Sequence, residues 1–257
     1  MHTPSTSARA AQTTHTLITL QALLHALVHA ESYAIDLSWD MIVRFGYDAS
    51  LWSRAAARLA PGAGAGASSD EAAGSCLEAV MPDQFFHDWV RVAHEEAQHF
   101  SKWRDRLRDM GVEYGDMVEH DGLWDSATDT AHSLLARLAV VHMVHEARGL
   151  DTYLLAKARF EKAGDERCLA IIEVNHREEI THVAAGRKWL TFLCEEQGAD
   201  PISTYHDLVR MYFFGPLKPP FNDASRMAAG MSPEWYMPLA LPSPDVVVDK
   251  VTDIAAK

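Results

Sequence analysis

The feature that most constrains the fold is a Glu-x-x-His motif that occurs twice, at Glu96–His99 and at Glu179–His182. On an α-helix, residues three apart lie on the same face, so each motif places a carboxylate beside an imidazole. Around the first motif, Trp89, Val92 and Trp103 continue the same face at helical spacing. A face that is otherwise apolar predicts that the Glu and the His are buried, and buried charged groups need partners.

Hydrophobic periodicity predicts four long helices and a short fifth helix that starts after Pro201. The four long helices are expected at about 16–45, 82–110, 128–163 and 165–197. The turn between the third and fourth is short, whereas a long connection joins the second to the third. No segment shows the sustained alternation of a strand. The pattern therefore predicts an all-α chain, folded as a four-helix bundle with one long crossover.

The bundle is expected to span residues 16–214, with further segments before, within and after it. Residues 1–15 are interpreted as a flexible N-terminus. Residues 61–74 consist largely of Gly, Ala and Ser, which predicts a mobile surface loop inserted into the bundle. Residues 215–257 are rich in proline and are expected to form an extended tail packing on the bundle.

Each of the four predicted long helices places one Glu in the middle of an apolar stripe. Four carboxylates that converged on one core would repel each other, and burying them unpaired is costly. Two divalent cations remove this problem, because carboxylates can bridge two metals and imidazole suits iron. A Glu from each of two helices and Glu-x-x-His from each of two others is the ligand set of ferritin-like di-iron and di-manganese proteins. The predicted metal ligands are Glu31, Glu96, His99, Glu146, Glu179 and His182. Two iron ions are the expected cofactor, with manganese or a mixed pair as the alternative.

Each motif carries a second Glu directly before the predicted ligand, at Glu95 and Glu178. The spacing to His99 and His182 favours Glu96 and Glu179 as ligands. Glu95 and Glu178 are therefore assigned to the flanks of their helices.

Three further residues lie near the predicted ligands along their helices: His142, His176 and Tyr153. Either histidine could be an extra ligand, a hydrogen-bond donor to a ligand, or a core histidine bonded to the backbone. Tyr153 lies two turns beyond Glu146 and could be redox-active, hydrogen-bonded to the site or simply packed in the core. The spacing alone leaves these alternatives open.

Composition excludes several classes of function. The 257-residue chain has a net charge of −13, which does not favour a phosphate-binding surface for nucleic acid. No apolar run approaches the roughly 20 residues that span a bilayer, and the N-terminus lacks the apolar core of a signal peptide. Three widely spaced cysteines without a CxxC motif favour neither a disulfide framework nor a thiolate metal site. We therefore expect a cytoplasmic protein.

Several segments together resemble a known bacterial family: "HAESYAIDLSWD", "VRVAHEEAQHF", "YGDMVEHDGLWD", "LLARLAVVHMVHEARGLD", "REEITHVAAGRKWL" and "LKPPFN". The family is catalogued as domain of unknown function 455, within the ferritin-like superfamily, and the resemblance runs from about residue 16 to 230. It implies a ferritin-like bundle with a dinuclear metal centre at the six predicted ligands. "HAES" and the Glu-x-x-His pair are also similar to the di-iron hydroxylases of a modified tRNA adenosine.

The expected function is that of an oxygen-activating di-iron oxidoreductase. It would hydroxylate or desaturate a small organic molecule with dioxygen, as a monomer or homodimer. One alternative is iron oxidation and handling without an organic substrate. Another is a non-redox role in which manganese or zinc is structural.

Overall fold

The computed structural model describes residues 6–47 and 81–240, with the side chains of the first helix described from residue 17 onward. Its helices are α1 (Thr6–Asp40), α2 (Asp83–Asp109), α3 (Gly122–Asp129), α4 (Leu134–Ala139), α5 (Glu146–Ala163), α6 (Glu166–Glu196), α7 (Pro201–Tyr212), α8 (Asp223–Ala228) and α9 (Pro233–Tyr236). Within the described ranges, extended pairing is limited to an isolated bridge between Leu217 and Ala240. The prediction of an all-α chain is confirmed.

Two π-helical segments extend this framework, Met41–Phe45 after α1 and Val140–His145 between α4 and α5. The second segment makes α4 and α5 one continuous helical unit. A π-helical turn contains one more residue than an α-helical turn and is frequent at functional sites. Here it ends directly before Glu146, one of the six predicted ligands.

The long helices pack in pairs: α1 lies along α2, α5 lies along α6, and α2 also contacts α6. Trp89 of α2 belongs to one apolar cluster, and Trp103, farther along the same helix, belongs to another. Glu96 and His99 lie between these two tryptophans and are buried. The polar residues therefore form a layer between two apolar clusters of the core.

Local sequence explains the ends of the helices that position this layer. Gly164 adopts a left-handed conformation with φ of 67° and ends α5, as glycine commonly does. Asp165 then caps α6, because its side chain accepts a hydrogen bond from the Cys168 backbone N–H at 3.0 Å. This short turn makes α5 and α6 antiparallel neighbours, as the sequence predicted.

Several predicted boundaries differ from the structure. The first helix begins at Thr6, within the segment expected to be a flexible N-terminus. The third long helix begins at Leu134 rather than near residue 128, because the Ser133 side chain caps the new helix by accepting from the Ala136 N–H. The short helix α3 occupies the preceding residues, in what was predicted to be connection.

The C-terminal segment is also more helical than predicted. Residues 215–240 contain α8, α9 and a 3-10 turn at Met237–Leu239, where extended chain was expected. The Asn222 side chain caps α8, and Pro233 occupies the first turn of α9, where its missing N–H has no cost. The Gly/Ala-rich loop at 61–74 and the tail beyond residue 240 lie outside the described residues.

No helix in the described part of the chain is long and apolar enough to cross a membrane. Cys168 and Cys194 are buried as free thiols.

Candidate metal centre

Three helices bring four of the predicted ligands together at the centre of the molecule. Glu31 of α1, Glu96 and His99 of α2, and Glu179 of α6 each offer an atom within 4.8 Å of the others. His99 Nδ1 lies 3.3 Å from Glu96 Oε2, 3.3 Å from Glu179 Oε1 and 4.0 Å from Glu31 Oε1. Carboxylate and imidazole atoms at such distances form a group that could hold a metal ion.

His182 lies against the same carboxylates from the other side. Its Nδ1 is 2.9 Å from Glu96 Oε1 and 3.4 Å from Glu179 Oε2. The ring centroids of His99 and His182 are 5.7 Å apart. Glu96 and Glu179 therefore each face both imidazoles, with one oxygen toward each ring.

Glu146 joins this group from α5, next to Glu179. Glu31, Glu146 and Glu179 line one cavity together. The Nδ1 atom of His142 is 3.9 Å from Glu146 Oε1, and its ring lies 4.3 Å from that of Trp89. We refer to Glu31, Glu96, His99, Glu146, Glu179 and His182 as the Glu/His cluster.

The outward nitrogen of each clustered histidine contacts a carboxylate on the neighbouring helix. His99 Nε2 is 2.7 Å from Glu178 of α6, and His182 Nε2 is 2.8 Å from Glu95 of α2. Each imidazole donates this Nε2–H to a carboxylate, which leaves Nδ1 directed at the centre. Such a pair orients the ring and raises its basicity as a ligand.

These two crossed contacts were missed by the sequence reasoning, which assigned Glu95 and Glu178 only to the helix flanks. Glu95 and Glu178 do lie at the flanks of their helices, on the sides where α2 and α6 face each other. The signal was the doubling of Glu in both motifs, in "HEEAQH" and "REEITH". Arg91 also donates to Glu95 at 2.8 Å and holds it in place.

Four buried atoms of the cluster have no hydrogen-bond partner among the described residues: Oε1 and Oε2 of Glu96, and Nδ1 of His99 and of His182. The contacts of the two Nδ1 atoms with Glu96 and Glu179, at 2.9–3.4 Å, are therefore not aligned as hydrogen bonds. Leaving a buried polar group unsatisfied costs about 1–3 kcal/mol, and more for a charged group. Buried ligand atoms without hydrogen-bond partners fit bound metal as the missing partner.

The electrostatics of the protein groups alone also indicate missing positive charge. Burial raises the pKa of Glu31 well above its usual value, and the charges of Glu96 and Glu179 raise it further. Burial likewise raises the pKa of Glu146, with added repulsion from Glu179 and Glu96. Burial opposes the charge on His99, but Glu179 and Glu96 outweigh it and raise its pKa to about 11. These shifts show that the site favours added positive charge, which a proton or a metal ion can supply.

A cavity of about 180 Å³ opens on three of these carboxylates. Its other walls are mainly apolar, from α1, α2, α5 and α6, and include Ala30, Trp103 and Ile172. Tyr153 and His176 also line it and stack on each other at 3.6 Å with 10° between the rings. Both residues therefore belong to the wall of the cavity, and His176 is held by Ser225 at 3.0 Å.

Comparison with known proteins adds a relative and a family. The chain is 33% identical over 211 residues to an uncharacterised protein of Haemophilus influenzae. This alignment covers 82% of the chain but 64% of the relative, so the chain spans less than two thirds of that protein. No solved structure matches. The model of the family described as "Protein of unknown function (DUF455)" matches residues 2–237, and the chain belongs to this family.

Proposed function

We propose that this chain is a ferritin-like protein whose Glu/His cluster holds two metal ions, most suitably iron, and that it oxidises a small organic substrate with dioxygen. The observation that carries the proposal is the set of four buried, unpartnered ligand atoms between the crossed histidine–carboxylate pairs. Four Glu and two His balance the charge of two divalent ions.

The cluster residues divide between the two ions by position. Glu96 and Glu179 face both imidazoles and would be shared between the ions, whereas His99 and His182 would each contribute to one ion. Glu31 and Glu146 would complete the two ends. When bound, iron supplies the activation of dioxygen.

The protein contributes the orientation of the ligands and an apolar pocket beside them. Glu95 and Glu178 hold the two imidazoles, and mainly apolar side chains line the cavity onto which Glu31, Glu146 and Glu179 open. A cavity of roughly 150 Å³ is enough to hold benzene. The 180 Å³ here therefore suits a small apolar group, either a whole substrate or the reacting end of one.

The reaction class that fits is hydroxylation of a C–H bond, with desaturation as the closest variant. Hydroxylation consumes one dioxygen, two protons and two electrons, and yields an alcohol and water. The electrons must come from an external donor. The net charge of −13 does not favour RNA as the substrate.

Iron oxidation without an organic substrate would use the same ligands. The apolar cavity beside Glu31, Glu146 and Glu179 favours oxidation of an organic substrate over iron storage, because iron storage does not require an apolar pocket. Size-exclusion chromatography separates the two functions, since storage requires a large shell and oxidation of an organic substrate requires only a monomer or dimer.

The test is metal loading followed by oxygen consumption. We expect the protein loaded anaerobically with Fe(II) to retain two ions per chain and to melt at a higher temperature than the metal-free protein. Glu96→Gln and Glu179→Gln should each lower the metal content, whereas Glu196→Gln, an exposed position on α6, should not.

With a reductant and a small apolar substrate, the loaded protein should consume oxygen repeatedly. Oxygen uptake that stops after one oxidation of its own metal would contradict the oxygenase, and failure to retain metal would contradict the centre.

A further inference from the structure

A second cavity, of about 370 Å³, lies between the π-helical segment with α5 and the chain that follows α7. This volume falls within the usual range of small-molecule sites, about 300–1,000 Å³. The cavity combines two kinds of side chain that contact a ligand in different ways. Its aromatic and cationic lining residues are Phe213, Phe214, Phe221, Arg148, Lys218 and Arg226.

The cavity carries excess positive charge although the chain as a whole is acidic. Its one carboxylate, Asp151, accepts two hydrogen bonds from Arg226, at 2.9 and 2.7 Å, and one from the Asn222 N–H at 2.9 Å. Arg226 and Asp151 therefore neutralise each other. The charges of Arg148 and Lys218 remain, beside a chain of net charge −13.

Arg148 is held at the cavity by its own contacts. Its Nη1 donates to the Lys218 backbone carbonyl at 2.9 Å and is 3.9 Å from the already paired Asp151. The Lys218 ammonium forms no ion pair within the described ranges. Both cations therefore line the cavity with N–H donors available to a ligand. A guanidinium pairs well with the two oxygens of a carboxylate or phosphate.

The aromatic side chains form the other part of the lining. Phe214 lines the cavity and is 89% exposed, so its ring is open to contact with a ligand. The Arg226 guanidinium packs on the face of Phe221, 5.0 Å from the centre of its ring. Phe213 packs edge-on against His145, with ring centroids 5.7 Å apart.

We propose that this cavity binds a small organic anion that carries an aromatic ring. The acid group lies at Arg148 and Lys218, and the ring contacts the phenylalanines. His145 lines both this cavity and the cavity beside the Glu/His cluster, so the two cavities are separated by a single side chain at this point. The binding does not require metal, and its test is independent of the proposed oxidation.

The probe is phenyl phosphate, titrated into the metal-free full-length protein and measured by isothermal titration calorimetry. We expect it to bind at least about tenfold more tightly than benzyl alcohol, which lacks the charge, and than inorganic phosphate, which lacks the ring. Affinity should fall as salt is added. Equal affinity for either comparison compound would overturn the proposal.

Variants locate the site. Arg148→Gln with Lys218→Gln should weaken binding of phenyl phosphate by about tenfold or more. Phe214→Ser should weaken the binding of phenyl phosphate but not that of inorganic phosphate. Because the Phe214 side chain is exposed, weaker binding in this variant does not result from unfolding. The matched control is Arg159→Gln with Lys162→Gln, which removes the same charges from exposed positions on α5. If the control weakens binding as much as the test pair, the proposal is wrong, because net charge alone then explains the binding.

Discussion

At the scale of single residues, each Glu-Glu-x-x-His motif serves two helices at once. The second Glu and the His, three residues apart, face the same centre. The first Glu is turned by about 100° around the helix, which directs it at the neighbouring helix instead. There it contacts the histidine of the other motif, so the contacts from Glu95 and Glu178 cross between α2 and α6.

This crossing predicts that Glu95 and Glu178 influence metal binding without being ligands. Glu95→Ala and Glu178→Ala should each lower the metal affinity by about 10–100-fold, because each frees one imidazole to rotate. The corresponding Gln variants should lose less, since the amide oxygen still accepts the Nε2–H. Competition with a chromophoric Fe(II) chelator measures the affinity, and Glu196→Ala is the control. Unchanged affinity in both Ala variants would mean that packing alone orients the rings.

At the scale of helices and turns, the π-helical segment before Glu146 depends on a glycine of α6. A Cβ atom at Gly186 would lie 2.3 Å from the His142 carbonyl oxygen, a separation that real side chains do not adopt. The absence of a side chain therefore allows α6 to approach the turn that carries Glu146.

Substitution of this glycine should separate the two elements. We expect Gly186→Ala to lower the free energy of unfolding by about 1–3 kcal/mol, because backbone atoms must move to accommodate the methyl group. Gly149→Ala on α5 is the matched control, since nothing lies within 4 Å of its added Cβ. It should raise stability by up to about 1 kcal/mol through helix propensity. Urea unfolding of the metal-free variants measures both, and equal stability of the two would refute the close contact.

Periodicity predicted the long helices because each buries a continuous stripe of apolar residues. It did not predict α3 or α8, which have eight and six residues and bury few side chains. A helix this short is decided by its caps and by its tertiary contacts. The π-helical turns were also not predicted, since one added residue barely changes the hydrophobic pattern.

At the scale of the whole molecule, one buried cation joins distant parts of the chain. Arg137 of α4 is 1% exposed and forms a short hydrogen bond with Asp40 at the end of α1. It also donates to the Ala127 carbonyl at 2.6 Å and to Thr130 Oγ1 at 3.0 Å. The guanidinium therefore links α1, the chain around α3, and the start of the helix that leads to Glu146.

This link predicts a stability that depends on pH. Burial alone would raise the pKa of Asp40, but hydrogen bonds from Arg44 and Arg137 lower it below its ordinary 3.8. The ion pair therefore stabilises the fold at pH values above the pKa that Asp40 has in the unfolded chain. This stabilisation is lost as the pH falls through the lower pKa of Asp40 in the folded state. Asp40→Asn should cost about 1–3 kcal/mol at pH 7, because a buried cation loses its charged partner.

The comparison must be made across pH with a control. The difference in unfolding free energy between wild type and Asp40→Asn should shrink as the pH falls below about 4, where Asp40 of the unfolded chain takes up a proton, and should vanish once the folded carboxyl is protonated as well. Asp105→Asn removes an exposed carboxylate, paired with Arg104 at 3.8 Å, and should change stability by less than about 1 kcal/mol at any pH. A difference for Asp40→Asn that stays constant with pH would show that the ion pair contributes little.

The sequence by itself determined the all-α class, the long helices and the two motifs, because these depend on spacing along one helix. It also singled out Glu31 and Glu146, since a lone carboxylate in an apolar stripe is visible without a partner. Only the tertiary structure decided that Glu95 and Glu178 cross between helices, and that His176 and Tyr153 line a cavity. Only the tertiary structure brought Arg148 and Lys218 to the same cavity as Phe214. These features depend on how one helix is rotated and shifted against its neighbour, and apolar periodicity specifies which face is buried but not what it meets.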